Sequence, residues 1–357
     1  DPYYNENNNI QNFKYKDLNN LTFRSKKISR YNINNFIFSE NENIISSDTK
    51  GNLIIFSIKG NKVIKKFNFY KKKYKKLDKV LNIIIENNII YVSDNLGYLY
   101  AYNYAKREII WAKNYKIPFR SNLKITKDKL IAANQNNNLK FFDKKTGNLL
   151  KLIPSEETIV KNQFVNNISL NNNVSYFLNT YGSLYAIDNE DMRIKWFINL
   201  NQSMDINPSN LFSGAPIVNA NNKIIINSND YLYILESSNG AILFKKQFSA
   251  KIKPLVINQY LFLISKNNYL ISMNLNTGKI IYSYDINKSI ADFLKIKKKT
   301  AKFKDFFIAN NKLYLILENS FFLKISLNGS IEDILKLPSK IISNPIFVKD
   351  SIAYFKL

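Results

Sequence analysis

No cysteine and no histidine occur among the 357 residues. Without cysteine there is no disulfide, no thiolate nucleophile and no sulfur-ligated metal; without histidine the commonest general base and metal ligand is gone. Most enzyme templates are thereby excluded. Missing cysteine does not fix the redox compartment, because oxidising and reducing compartments alike hold proteins without disulfides. No run of 18 apolar residues exists, so nothing in the sequence spans a membrane as a helix. The first methionine is Met192, so Asp1 is not expected to be a translation start. A segment ahead of "DPYYNENNNI" is expected to have been removed, a signal peptide being one candidate.

Glycine and proline are also scarce, at 9 and 8 residues, whereas asparagine reaches 56. With the excess of lysine, isoleucine, tyrosine and phenylalanine, this is the output of an AT-biased genome. The net charge of +25, with 23 tyrosines and 25 phenylalanines able to stack on bases, would suit nucleic acid or an acidic membrane surface. Coding bias explains the lysines better as solvated faces, since charge constrains partners and solubility rather than fold. Nucleic acid is therefore not the expected partner.

What the chain does contain is a repeat. "VSDNLGYLYAYNYAKREIIW" at Val92 to Trp111 returns as "LNTYGSLYAIDNEDMRIKW" from Leu178 and "INSNDYLYILESSNGAILF" from Ile226, each reading strand, turn, strand, turn, strand. The anchor positions Leu53, Leu99, Leu139, Leu184, Leu232, Leu270 and Phe322 are spaced 46, 40, 45, 48, 38 and 52 apart. Periods of this length belong to propeller blades of four strands. Pro216 and Pro254 each lie 16 residues before their anchor and open an inner strand, where a missing N–H costs no ladder bond. Continuous apolar runs such as "KIIIN" at Lys223 read as strands held between neighbouring blades, and lysine-bearing runs such as "AILFKKQF" as outer edges.

Seven units are recognisable and an eighth starts at "NPIFVKDSIAYFKL", whose anchor would fall near position 361. The expected fold is all-β: one eight-bladed propeller of four-stranded antiparallel blades over residues 21–357, preceded by an extension over 1–20. The last blade is incomplete in this chain. "LTFRSKK" at Leu21 to Lys27 is expected to close it, with "NFKYKDL" near Phe13 as a further donor.

The turn before each outer strand reads "DKKTGNLL" at Asp143 and "NLNTGKIIY" at Asn274, and in several units an aromatic stands four residues after the turn-glycine position: Trp111, Trp196, Phe244 and Tyr282. This pattern resembles the repeat of the quinoprotein-like propellers. The aromatics are expected to wedge between blades rather than stack a cofactor, because they recur around the ring. Asp94, Asp143 and Asp188 lie in repeat turns, where bonding to nearby backbone N–H groups accounts for them. No cluster of acidic residues marks the inner strands, so a quinone-dependent dehydrogenase ranks third among the readings and no cofactor or metal is expected.

Blade number, length and the register of "IKWFINL" to "GAPIV" at Ile194 to Val218 resemble the BamB family of outer-membrane assembly lipoproteins. That resemblance implies a non-enzymatic scaffold, lipid-anchored at the periplasmic face of the outer membrane through a cysteine upstream of Asp1. It also implies binding to the barrel-insertase subunit as a monomer within a hetero-complex. The alternative is an intracellular basic propeller that binds nucleic acid or ribonucleoprotein. Within the family the insertase is gripped by the connection leading out of the fourth blade, here Asn201 to Pro216. This carries Met204, Ile206, Leu211 and Phe212 as the expected partner-binding residues, Phe212 foremost, with the equal alternative that these side chains fold onto the propeller face. The acidic contact of the next connection has no counterpart in "FSAKIKP" at Phe248 to Pro254.

Antiparallel blades send every inter-blade connection to one face. Lys71, Lys72, Lys73, Lys75 and Lys76, with Lys297, Lys298 and Lys299, therefore form an expected basic rim there. Simple solvation is the commoner outcome for such a lysine run; the alternative is that anionic lipid headgroups or an acidic partner meet it.

Overall fold

The computed structural model describes residues 24–355 apart from 35–36, 71, 159–164, 172, 202–211, 213–215, 229, 338–340, 342 and 349–350. Asparagine does much of the local work that glycine does elsewhere. The tight turns joining first to second strands place Asn41 and Glu42, Asn87 and Asn88, Asn221 and Asn222, and Asn310 and Asn311 all at positive φ. Such two-residue turns match the twist of the flanking strands, and asparagine is the side chain that best tolerates that conformation. The asparagine excess thus has a structural use beyond coding bias.

These hairpins build seven four-stranded antiparallel sheets in strict sequence order. They span residues 38–68, 81–114, 124–152, 167–199, 218–246, 255–285 and 303–336, and are numbered blades 1 to 7. All seven anchors lie in third strands and are at most 2% exposed. Burial falls outward: Ile89–Asp94, a second strand, is almost wholly buried, while the outer strand Leu149–Leu152 is exposed throughout.

The apolar core is divided among the seams between blades. Leu99 and Trp111 of blade 2 pack with Leu130 and Phe142 of blade 3. Leu184 of blade 4 meets Ile224 and Tyr233 of blade 5. A continuous apolar second strand is what such two-sided burial demands.

After blade 7 comes a two-stranded hairpin, Ile346–Val348 with Ser351–Ala353. Ile352 and Tyr354 pack on the blade 7 cluster, while Ile346, Ala353 and Phe355 pack on the blade 1 cluster. Successive side chains of an extended chain point to opposite sides. The hairpin therefore lies between the last blade and the first. The segment expected to close it is only partly described: residues 24–27 run as irregular chain, and 21–23 and Phe13 lie outside the described residues. Immediately afterwards Ile28 is buried in the blade 1 cluster, and the Ser29 hydroxyl donates to Asp48 Oδ2 at 2.7 Å.

Every blade carries one register shift between its third and outer strands. The last pair before the shift includes Trp111, Trp196, Phe244 or Tyr282 in blades 2, 4, 5 and 6. From there Trp111 reaches the next blade, its Nε1–H donating to Lys144 O at 3.1 Å, as Trp196 Nε1–H does to Ser237 O at 3.2 Å. Each ring lies on a turn glycine of that blade, Gly147 and Gly240 respectively. The aromatics are thus inter-blade wedges. The outer edges carry more than the expected lysines, since Ile109, Ile110, Ile242, Leu243, Ile280 and Ile281 are also exposed. The recurrent bulge, which disrupts the ladder locally, adds to the lysines' protection of these edges.

Candidate partner-binding face

Each outer strand runs antiparallel to the third, so the chain leaves every blade on the face that also holds the turn between second and third strands. In blade 2 this turn is held by Asp94, whose Oδ1 accepts from the amides of Leu96 and Tyr98 at 2.9 and 2.8 Å. Its Oδ2 accepts from the Tyr70 hydroxyl at 2.6 Å. Burial raises the Asp94 carboxyl pKa against the lowering effect of these bonds. It raises that of the Tyr70 phenol as well, and neighbouring Asp94 adds to the effect. On the opposite face, in turns between third and outer strands, Asp143 accepts from the Thr146 amide at 2.6 Å and Asp188 from the Glu190 amide at 2.8 Å.

The connection from blade 1 to blade 2 passes through a 3-10 turn, Lys72–Tyr74. Lys72, Lys75 and Lys76 are exposed there, Lys71 is outside the described residues, and the side chain of Lys73 is not described. Nothing in the repeat pattern signals that Lys79, only 2% exposed, turns inward. Its ammonium donates to Tyr74 O at 2.5 Å and lies 5.2 Å from the Tyr70 ring centre. Burial lowers its pKa. Leu77 and Val80 beside it stay exposed.

The connection from blade 6 to blade 7 holds an α-helix, Ile286–Leu294, that the repeat pattern concealed. Its signal is nonetheless present: Asp285 is an N-cap accepting from Asn287 and Lys288 amides at 3.0 and 3.2 Å. Ile286 and Ala291 face the core. Lys297, Lys298 and Lys299 come after the helix and are exposed as expected, Lys298 pairing with Asp285 at 2.5 Å.

The fourth connection departs most from expectation. Met204, Ile206 and Leu211 lie outside the described residues. Phe212, expected as the foremost exposed anchor, is instead 7% exposed and packed with Leu184, Leu200, Ile217 and Tyr233. Its amide donates to Thr180 O at 2.8 Å, and its ring covers Gly182, where any Cβ would fall 2.8 Å from Cδ2. An aromatic beside a bare turn gains more by covering it than by facing water.

The inner strands carry charge that the repeat pattern does not single out. Lys124, on the inner strand Lys124–Thr126, has no exposed surface, and burial brings its pKa down to about 7. Asp305, on Phe303–Ala309, is pushed up to about 6 by burial, while its amide neighbour Phe306 and Lys253 oppose the shift. Lys253 is brought well below the usual range by burial, with Asp305 opposing. Lys253 and Asp305 keep some accessible area. Among the described residues no three acidic side chains gather as a metal-holding group.

Successive four-stranded antiparallel blades with wedge aromatics and Thr-Gly turns define a β-propeller with repeats of the pyrroloquinoline-quinone type. A family model described as outer membrane protein assembly factor BamB matches residues 71–284, and the chain belongs to that family. No curated protein sequence matches this one closely. Among solved structures, BamB from Moraxella catarrhalis superposes with a TM-score of 0.70 at 12% identity, over 89% of this chain and 95% of that one. The computationally designed Ika8 protein gives 0.69 at 9% identity, covering 92% and 95%. A europium-containing methanol dehydrogenase gives 0.64 at 10%, covering 87% and 79%. At these identities the likeness is one of fold, which scaffold and enzyme share.

Proposed function

We propose that the protein is a non-enzymatic scaffold for assembling outer-membrane β-barrels, held at the periplasmic face of the membrane by a lipid anchor outside this chain. It works by binding the barrel-insertase subunit. The family match across residues 71–284 carries this reading. The binding surface is the connection face, with the fourth connection as the grip. Phe212 supports the turn at Gly182, and Ile206 and Leu211 are the anchors.

The test is capture of the purified periplasmic domains of the insertase. Changing Ile206→Ala with Leu211→Ala should weaken capture by about 2 kcal/mol or more, because interface energy concentrates in a few apolar anchors. The circular dichroism spectrum should not change. Phe212→Ala should instead lower the melting temperature, as removal of a buried aromatic does. Normal capture by the double variant would overturn this assignment of the grip.

The ring is proposed to close as eight positions, the hairpin at Ile346–Ala353 filling the eighth with help from the N-terminal segment. Support comes from the hairpin's packing on blades 7 and 1 and from the burial of Ile28 beside it. Deleting residues 1–30 should lower the melting temperature sharply; an unchanged melting curve would refute this closure.

A further inference from the structure

We infer that the connection face also carries a second binding surface, a pair of basic, apolar-tipped projections that seat on an anionic lipid surface. It goes beyond the scaffold reading and does not depend on it. The first projection is the end of the helix with the chain just after it, where Phe293, Leu294 and Ile296 are 43%, 37% and 52% exposed. Exposed Lys295, Lys297 and Lys299 alternate with these apolar residues or come directly after them. The second is the connection from blade 1 to blade 2, where Leu77 and Val80 are 48% and 57% exposed beside exposed Lys75 and Lys76.

Three features favour lipid as the occupant. The exposed apolar side chains, Phe293 with Leu294, Ile296, Leu77 and Val80, are interspersed with exposed lysines rather than joined into one apolar surface. They suit a boundary at which a phenylalanine or isoleucine enters the acyl region while lysines meet phosphates. The helix is fixed along one side: Ile286, Asn287 and Ala291 are buried and Asp285 caps it, which leaves Phe293 and Leu294 on its exposed side. Blade 7, the hairpin and blade 1 separate the two projections on one face, and a flat, extended partner reaches both.

The experiment is co-sedimentation of the chain with vesicles of equimolar phosphatidylcholine and phosphatidylglycerol, against vesicles of phosphatidylcholine alone. The protein should bind the anionic vesicles, bind the neutral ones weakly, and release with added salt. Phe293→Ser with Ile296→Ser, Leu77→Ser with Val80→Ser, and Lys297→Glu with Lys299→Glu should each reduce anionic binding by about tenfold. Lys298 is left intact because it pairs with Asp285. All three pairs are exposed, and two separate projections guard against a local folding defect in either. Equal sedimentation of variants and parent would overturn the inference, as would no binding to anionic vesicles. If vesicles are ignored while capture of the insertase domains depends on the same residues, the surface docks protein and the inference is likewise overturned.

Discussion

Gly240→Ala is expected to destabilise the protein by about 3–5 kcal/mol, combining left-handed strain with overpacking. Gly240 has φ +76°, and a Cβ there would fall 2.6 Å from Trp196 Cε3. The Trp196 ring cannot move aside cheaply, because its Nε1–H is held by Ser237 O. A double-mutant cycle with Trp196→Ala separates the two causes. The strain remains in the double variant, whereas the clash disappears, so the combined loss should fall short of the sum by roughly 1.5 kcal/mol or more. Urea denaturation of the four proteins reads this directly; strict additivity would mean that ring and turn do not meet. The chain supplies its own comparison. At the equivalent turn positions of blades 2 and 4 stand Arg107 and Met192, at φ +65° and +56°. In the preceding blades the wedge position is Lys65 or Lys151. A side chain is thus tolerated in the turn where no aromatic ring covers it.

Lys124→Met is expected to change how stability depends on pH. The folded chain holds the Lys124 proton with a pKa near 7, against a usual value of 10.5. Between those values the unfolded state binds more protons, so this group's contribution rises with pH from about 7 to 10.5 and is lost as pH falls through 7. The difference in stability between variant and parent should therefore shift by on the order of 3–5 kcal/mol between pH 6 and pH 10, favouring methionine at the lower pH. Any fixed packing cost of the substitution cancels from that shift. Asp305 runs the other way. Its folded pKa is raised to about 6, so its contribution is full below the unfolded value and lost as pH rises through 6. Asp305→Asn should flatten the acid side and Lys124→Met the alkaline side. Urea midpoints across the range measure both, and a pH-independent difference for Lys124→Met would refute the shift.

The blade period is legible in the sequence because a four-stranded blade must repeat one buried position, and all seven anchors occupy it. The wedges are legible for a related reason: an aromatic that recurs at one register is set by the neighbouring blade. The helix at Ile286–Leu294 is not, since its apolar residues continue the outer strand without a break and only Asp285 marks the change. Phe212 misleads because composition around it is polar, while its burial depends on Gly182, a turn some thirty residues earlier. Lys124 and Asp305 escape notice because a first strand carries the same residue types as a surface strand, and only the packing of neighbouring blades buries it.

The seams of the ring are unequal. The outer strands of blades 2, 4, 5 and 6 each send an aromatic into the next blade, and at the first seam Phe67 and Phe69 stack on Tyr102 and Tyr100 at 4.4 and 4.2 Å. Between blades 3 and 4 the outer strand is four exposed residues with Lys151 at the wedge position. Opening free energy within a folded protein follows such local differences. Amide exchange is therefore expected to begin at the outer strand Leu149–Leu152, ahead of the outer strands that carry a wedging aromatic.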